Sequence, residues 1–504
     1  MNAPLRRVGV VALILFGLLF ANLNWVMAVK SDEYRTSPYN GRVMLAEYDH
    51  KRGTILAGGV ALAESRATNG DLKYLRVYPT SPAAYAHIVG FRPVQGAAID
   101  IERTENEFLA GTSDKLFADR LRDIFSNEKT PGGNVVLSVM RRAQETAYQE
   151  LVKNKKGAKV GAVVALDPRT GAILAMASTP SYDPNPLTSH NTDAANAAYN
   201  KLDKDPNEPL LNRATQETFP PGSTFKVILS AAALSRGYTI NTPIPAGPSY
   251  QPPQTDHKIT NAAASICPEP QVTLIEALTE SCNTGYAQLG VTLGPQAIID
   301  TATAFGFNDP SLTYGRLDSD VKQSPVAESL VGKLTRDDGQ PDPPKIAQSS
   351  IGQNDVRMTP MEGAMLAAAV ANNGSQMRPY LVEQLLGPDL ITRHYTAVPK
   401  QLRQSCTSQI AGDLREMMVS AVENGTGKAA QIDGYEVGGK TGTAENAENE
   451  KDHGWFIGFA RNKDGVPVAA VAVFLKNAGS GGSSESARIA GQVMKAIIAE
   501  KGGK

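Results

Sequence analysis

Pro220-Pro221-Gly222-Ser223-Thr224-Phe225-Lys226, running straight into Val227-Ile228-Leu229-Ser230-Ala231-Ala232-Ala233-Leu234, is the stretch around which the chain is read. Two prolines and a glycine set a turn, and the apolar, alanine-rich run behind them predicts a buried helix. Ser223 falls at or near the first turn of that helix. There, unpaired backbone N–H groups and the positive end of the helix dipole favour a developing negative charge. Lys226 comes three residues later and stands over the same face. A serine hydroxyl is a weak nucleophile until a base takes its proton, and an amine desolvated by an apolar helix has its pKa lowered toward that task. Ser223 is therefore the candidate nucleophile and Lys226 its base.

The tetrad alone is a weak signal. Ser126-Asn127-Glu128-Lys129 and Ser319-Asp320-Val321-Lys322 repeat it in polar surroundings with no apolar helix behind them, and both read as solvated surface. A serine N-cap beside a helix lysine is the plain alternative for Ser223 as well. The partners that follow decide between the two.

With 504 residues the chain holds more than one domain and ample material for a large core. Fifty Lys+Arg against 51 Asp+Glu leave a net charge of −1, which offers nucleic acid nothing to hold. Hydrophobic residues at 41% and charged ones at 20% describe an ordinary folded protein. Six scattered histidines, three cysteines and no His-Glu-x-x-His argue against a metal site, and nothing calls for a cofactor.

Arg6-Arg7 precedes an apolar segment, Val8 to Val29, long enough for one membrane crossing. The two arginines predict a cytoplasmic N-terminus and export of everything after it. Val26-x-Ala28 also resembles a signal-peptidase site, but the span is long for a cleaved signal, and an uncleaved anchor is the reading taken. Residues 1–30 are thus the tip and anchor. Residues 31–156 form a mixed N-terminal pedestal with strand-like pieces (Arg42 to Ala46, Gly53 to Ala57) and helix-like runs (Thr112 to Ile124, Leu137 to Leu151). The polar Lys153-Asn154-Lys155-Lys156-Gly157 marks the boundary with a catalytic domain, 157–504. That domain opens on a strand pair, Gly161 to Leu166 and Ala172 to Met176, joined by Asp167-Pro168-Arg169-Thr170-Gly171. A proline-rich stretch, Tyr250 to Pro270, is followed by a helical pattern from Val272 that meets Ser281-Cys282-Asn283 and continues to Gly290. Thr359 to Asn373 reads as a helix with Pro360 near its start. The strands Gly454 to Phe459 and Val468 to Phe474 and a helix from Ala487 to Glu500 complete the domain. Strands at both ends with helices between them predict an α+β body, the late strands joining the early pair in one antiparallel sheet.

Acyl transfer at an amide needs a nucleophile, a base, a path for the proton to the leaving amine and donors for the oxyanion. Ser281-x-Asn283 and Lys440-Thr441-Gly442-Thr443 supply the remaining parts. Ser281 relays the proton, Asn283 hydrogen-bonds Lys226 and a substrate amide, and Lys440 adds positive potential that keeps Lys226 neutral and draws in a carboxylate. Gly442 leaves the strand edge bare for an extended peptide. The backbone N–H groups of Ser223 and Thr443 form the oxyanion hole, so Thr441, Gly442 and Thr443 are the substrate-binding strand. Ser189-His190-Asn191 is a second Ser-x-Asn, lying ahead of the nucleophile.

The order Ser-x-x-Lys, Ser-x-Asn, Lys-Thr-Gly is the set carried by penicillin-binding proteins and β-lactamases, and the chain resembles the class B penicillin-binding proteins. Ala165-Leu-Asp-Pro-Arg-Thr-Gly-Ala-Ile-Leu-Ala-Met176, Asn212-Arg-Ala-Thr-Gln216 and Ser350-Ile-Gly-Gln353 extend the likeness over nearly everything after Lys156. The resemblance implies a peptidoglycan D,D-transpeptidase that cross-links stem peptides outside the plasma membrane and is a target of β-lactams. It also implies a role in division and docking on a polytopic membrane glycosyltransferase or division proteins. Arg52-Gly53-Thr54-Ile55-Leu56 looks like the family's first pedestal motif, but Ala57-Gly58-Gly59 stands where Asp-Arg-x-Gly is usual. No stretch resembles the glycosyltransferase domain of class A enzymes. In the oxidising compartment this implies, Cys267 and Cys282 are expected to form a disulfide that pins the Ser281–Asn283 loop, with Cys406 free.

A serine β-lactamase and a non-enzymatic β-lactam sensor use the same parts and stand as alternatives. The first needs a second base to activate water, and the second usually carries several membrane spans. Gly434-Tyr-Glu-Val-Gly-Gly439-Lys440-Thr441 also spells the nucleotide-binding G-x-x-x-x-G-K-[ST]. Such a loop must open a helix, and Gly442 with Glu445-Asn446-Ala447-Glu448 behind it does not.

Overall fold

The computed structural model describes residues 3–31, 34, 48–117, 131–318, 323–445 and 450–502. The first helix, Ala3–Ala28, matches the apolar run read from the sequence. Its Arg6–Ala28 part is 23 residues long and its apolar window packs against nothing among the described residues. At about 1.5 Å per residue it spans roughly 35 Å, enough for a bilayer's hydrocarbon core.

The catalytic body is organised by a five-stranded antiparallel sheet in the order Glu436–Ala444, His453–Arg461, Pro467–Leu475, Gly161–Leu166, Ile173–Thr179. The late strands do join the early hairpin: Pro467–Leu475 pairs with Gly161–Leu166 from Ala470↔Leu166 to Leu475↔Gly161. The middle strands are buried on both faces, which is why they read as continuous apolar runs rather than alternating ones. On one face lie the C-terminal helix Gly482–Glu500 and the helix Arg141–Val152, whose Ala143, Ala147 and Leu151 share a core with Val163, Leu174 and Ile497. On the other lies Pro360–Ala371, with no exposed residue. Thr359 caps it by accepting from the Glu362 N–H. Gly363 faces the sheet, where an added Cβ would stand 3.1 Å from Ile457 and 3.3 Å from Ala472.

The N-terminal body is a six-stranded sheet in the order Arg393–Thr396, Val382–Leu386, Asn134–Leu137, Ile55–Ala57, Val60–Ala67, Tyr74–Val77. Two of its strands come from far beyond residue 157, while the helix Arg141–Val152 packs on the catalytic sheet. Elements from both sides of the break read at Lys153–Gly157 thus enter both bodies. Sheet pairing is non-local, and a polar turn marks only where the chain is exposed. The run Leu137 to Leu151, read as one helix, is the end of a strand, a short turn and then the helix from Arg141. Val135 and Val136 pair in the ladder with Ile55 and Leu56, and β-branched residues favour that pleated setting. The expected strand Arg42 to Ala46, most of the expected helix Thr112 to Ile124 and both spare Ser-x-x-Lys tetrads lie outside the described residues.

Candidate active site

Ser223 sits in a 3-10 turn, Gly222–Phe225, that runs directly into the helix Lys226–Ser235. Every residue from Lys226 to Leu234 is buried, so the apolar run does fold into the core and carries its lysine with it. Thr224 Oγ1 donates to the Pro221 carbonyl at 2.9 Å and closes the turn. Trp455 Nε1 donates to the Pro220 carbonyl at 2.9 Å and ties the turn to the sheet. Three glycines let backbones meet here. A Cβ on Gly222, whose φ is +53°, would stand 2.3 Å from Thr443 O; one on Gly442, 2.6 Å from Pro221 O; one on Gly352, 2.0 Å from Gly222 O. Gly442 thus has a different job from the one read in the sequence. Its missing side chain admits the nucleophile turn against the strand, and it is the strand's place at the sheet edge that leaves a side bare.

The helical pattern around residue 281 is broken, not continuous. Thr273 and Glu276 form a reciprocal capping box at the start of the helix Leu274–Glu280. That helix ends at Ser281 in the left-handed conformation (φ 67°, ψ 43°), and a new helix, Asn283–Leu293, starts two residues later. A non-glycine residue there costs on the order of 1–2 kcal/mol, and such strain gathers at functional sites. The turn aims both oxygens of Ser281 at Lys226. Lys226 Nζ donates to Ser281 O at 2.8 Å, to Ser281 Oγ at 3.3 Å and to Asn283 Oδ1 at 2.7 Å. Lys440 Nζ, from the middle of the strand Glu436–Ala444, donates to the same Ser281 Oγ at 2.9 Å and to Thr441 O at 3.1 Å. Residues 226, 281, 283 and 440, remote in sequence, form one hydrogen-bonded group.

Both lysines are fully buried. Burial pulls Lys226 down to about 7, with Cys282 and Cys267 acting in the opposite direction. Lys440 is held well below its ordinary value by burial first and by Lys226 second. Two ammoniums on one hydroxyl repel each other in a dry site. One amine is therefore favoured as neutral, and Ser281 Oγ is placed to carry a proton between the two. Ser223 Oγ is half-buried and takes no hydrogen bond from the described residues. Lys226 rests on Ser281 and Asn283 instead of on the nucleophile.

Along the strand, side chains alternate. The Thr441 hydroxyl meets Thr426 Oγ1 at 2.5 Å, and Thr443 Oγ1 donates to Ser483 Oγ at 3.4 Å. Lys440 lies mid-strand and residues 441–444 continue that strand where a nucleotide loop would open a helix, which removes that reading. Asn191 of the second Ser-x-Asn caps the helix Thr192–Asp203.

The expected disulfide is corrected. Cys267 and Cys282 are buried neighbours but free thiols. Cys267 Sγ faces Glu280 Oε2 at 3.6 Å and Cys282 Sγ faces Thr284 Oγ1 at 3.5 Å, beside the contact the two thiols make with each other. The hydrogen bond between the two thiols, with burial behind it, pushes the Cys267 thiol well up, and the same bond pulls the Cys282 thiol down to about 6. The loop is pinned by the Cys267 N–H on Glu280 Oε2 at 3.0 Å. Cys406 is free, as expected.

Asn261 escaped the sequence reading. Its Oδ1 accepts from the N–H groups of Asn283 (2.8 Å) and Thr284 (3.1 Å), while its Nδ2 donates to Gly247 O and Ile266 O. It thereby caps, from another segment, a helix whose own N-cap residue Cys282 makes no side-chain cap. Nothing in the Pro-rich stretch around it signals this.

Residues 161–497 match the penicillin binding protein transpeptidase domain, and residues 52–135 match the penicillin binding protein A dimerisation domain. The Peptidoglycan D,D-transpeptidase PbpA of Mycolicibacterium smegmatis is 41% identical over 503 residues, 99% of each chain. A structure of penicillin-binding protein A from M. tuberculosis as a ceftriaxone acyl-enzyme complex superposes with a TM-score of 0.82 at 40% identity, covering 90% of this chain and all of that one. The D,D-transpeptidase domain of a peptidoglycan glycosyltransferase from Eggerthella lenta gives 0.74 at 30% identity, over 90% of this chain and 99% of that one.

Proposed function

The chain belongs to the penicillin-binding protein transpeptidases, and from that premise we propose that it cross-links peptidoglycan stem peptides as a D,D-transpeptidase through an acyl-enzyme on Ser223. One observation carries the residue assignment: Lys226, Ser281, Asn283 and Lys440 meet in a single buried hydrogen-bonded group beside the Ser223 turn. Ser223 Oγ attacks the carbonyl of the penultimate D-Ala as its proton passes to neutral Lys226. Backbone N–H groups of Ser223 and Thr443 hold the oxyanion. Collapse breaks the peptide bond, and the departing D-Ala amine takes a proton delivered through Ser281. An acceptor amine then attacks the ester, completes the cross-link and returns the proton to Ser223. A β-lactam presents a strained amide to the same hydroxyl and leaves the ester in place. Because Lys226 rests on Ser281 and Asn283, substrate binding has to bring amine and hydroxyl together, and Asn283 is free to trade the amine for a substrate amide.

The test is covalent labelling of the purified protein with fluorescent penicillin, together with D-Ala release from a D-Ala-D-Ala peptide or thioester mimic. Ser223→Ala should abolish both with the thermal transition unchanged. Labelling that survives the change moves the nucleophile elsewhere.

The finer setting belongs to the same reading. The helix Ala3–Ala28 crosses the plasma membrane once with Arg6 and Arg7 on the cytoplasmic side, and the N-terminal body serves division by docking on a polytopic membrane partner. Alkylation of a cysteine placed at either end of the helix, in intact cells, reports the orientation.

A further inference from the structure

A hydroxyl with no part in the reaction above reaches the site from the segment after the helix Ser408–Glu423. That segment, Asn424-Gly425-Thr426-Gly427, is held on two sides. A Cβ on Gly425 would stand 2.1 Å from Thr279 O, in the helix Leu274–Glu280 that ends at Ser281. A Cβ on Gly427 would stand 3.1 Å from Val422 Cγ2, and the Gly427 N–H donates to Ala421 O at 2.9 Å. Thr279 Oγ1 and Ser420 Oγ, 2.8 Å apart, fasten the two helices to each other. Glycines let the backbone approach this closely, and Thr426 is the side chain projected between them.

Thr426 Oγ1 lies 2.5 Å from Thr441 Oγ1. Thr441 follows Lys440, whose amine donates to Thr441 O and to Ser281 Oγ. Thr426 is thereby tied to both carriers of the site. Gly425 sets it against the helix that delivers Ser281, and its own hydroxyl sets it against the strand that delivers Lys440. A proton count separates the two threonines. Each hydroxyl has one proton, and among the described residues neither has a hydrogen-bond partner besides the other. Thr441 is only 5% exposed, whereas Thr426 is exposed. A buried hydroxyl gains by donating to the one neighbour it has, while an exposed one has room to give its proton outward. Thr441 thus donates, Thr426 accepts, and the Thr426 O–H is the donor left for a ligand. Accepting a hydrogen bond also polarises that O–H and strengthens it as a donor.

We propose that Thr426 is a specificity-determining residue for the carboxylate that ends the donor stem peptide, its hydroxyl donating to one carboxylate oxygen while Thr441 donates to it from the strand. The proposal rests on the transpeptidase reading and deepens it. Thr441, read from the sequence as touching the substrate, acts through Thr426 instead, because its own proton is spent on that contact. A hydroxyl held against a carboxylate makes a short, charge-assisted bond that a neutral ester or amide does not reproduce. The terminal carboxylate is also what distinguishes the last D-Ala of a stem peptide from a residue inside a chain. A site that hydrogen-bonds this group rejects analogues lacking it, so Thr426 selects for chain ends. A β-lactam that carries a carboxylate meets the same donor.

The experiment uses the full chain in detergent with two thioester mimics of D-Ala-D-Ala, one with a free terminal carboxylate and one with that group methylated, and reads kcat/KM from thiol release. The parent should prefer the free acid. Thr426→Val keeps the shape and loses the hydroxyl; it should slow the acid about tenfold and leave the ester within about twofold. Thr426→Ser should restore the preference. The acid-to-ester ratio is read on the same molecules, so a lowered folded fraction does not move it. If Thr426→Val yields no folded protein, Thr426→Ala is read in the same way. An equal loss on acid and ester marks a merely structural contact and overturns the proposal, as does an unchanged acid rate, a parent without preference, or a Thr426→Ser protein that behaves like Thr426→Val. A parent that releases thiol from neither mimic brings down the transpeptidase reading and this proposal with it. A parent that turns both over, with its preference kept in Thr426→Val, brings down the proposal alone.

Discussion

Substituting Gly442 by alanine separates two explanations of how Ser223 is placed. In one, the helix behind the nucleophile sets its position. In the other, the turn is held by close backbone contact with the strand Glu436–Ala444. The added Cβ would stand 2.6 Å from Pro221 O, 2.8 Å from Thr224 Cγ2 and 3.0 Å from Trp455 Cβ, where 3.4 Å begins ordinary contact. Relief requires the turn to move by about 0.8 Å, because one contact is to backbone and another to a threonine fixed by its own hydrogen bond. Retreat is blocked, since the Gly222 N–H is bonded to Gly352 O at 3.0 Å on the other side. Overpacking of this kind costs about 1–3 kcal/mol, and a displacement approaching 1 Å at a reacting atom costs about 10²-fold in rate. The assay is the second-order rate constant for acylation by fluorescent penicillin, with the thermal transition recorded in parallel. Gly412→Ala serves as the control. It lies within the helix Ser408–Glu423 with only the flexible tip of Arg415 nearby, at 3.6 Å, and should stabilise by up to about 1 kcal/mol without touching acylation. A Gly442→Ala protein that acylates at the parent rate refutes the contact account.

Acylation should rise with pH through about 7, because burial lowers Lys226 to that value and only the neutral amine accepts the proton. For stability the sign is the same. Between about 7 and 10.5 the unfolded chain binds the proton that the folded one has lost, so the penalty from this group is full below 7 and relieved as pH rises; a flat acylation profile from pH 6 to 9 would contradict the assignment. Asn261→Ala removes the acceptor for two helix N–H groups and should cost about 1–3 kcal/mol and slow acylation, while Asn261→Asp keeps the acceptor and loses less; equal rates in both variants would remove its positioning role. Glu102→Gln breaks the buried pairing with Arg52 and Arg76 and should cost about 3–5 kcal/mol by denaturant titration. Burial opposes its charge, yet Arg76 and Arg52 hold it below the ordinary carboxylate value. Its stabilisation is therefore present above the ordinary glutamate range and lost as pH falls through the folded value, a loss that acid titration should show reduced in the variant.

Much of the chemistry was legible in one dimension because it rests on local patterns. An apolar run behind Pro-Pro-Gly makes a buried helix wherever the chain places it, and burial alone sets Lys226 apart from an ordinary surface lysine. Apolar runs at 161–166, 454–459 and 468–474 were too short and too evenly hydrophobic for anything but inner strands. The 26-residue N-terminal helix followed from length and composition. Pairing was less legible. The strands Val382–Leu386 and Arg393–Thr396 complete the N-terminal sheet although nothing near them says so.

What the linear order of residues determined, then, was which groups are candidates for the chemistry and which segments are buried, since both follow from neighbours a few positions away. Only the folded chain decided that Ser281 turns left-handed to face two lysines, that Asn261 caps the helix after it, and that Cys267 and Cys282 meet as free thiols. Those outcomes depend on backbones converging at Gly222, Gly352 and Gly442, and contact between remote segments is a property of the closed core, not of any one stretch.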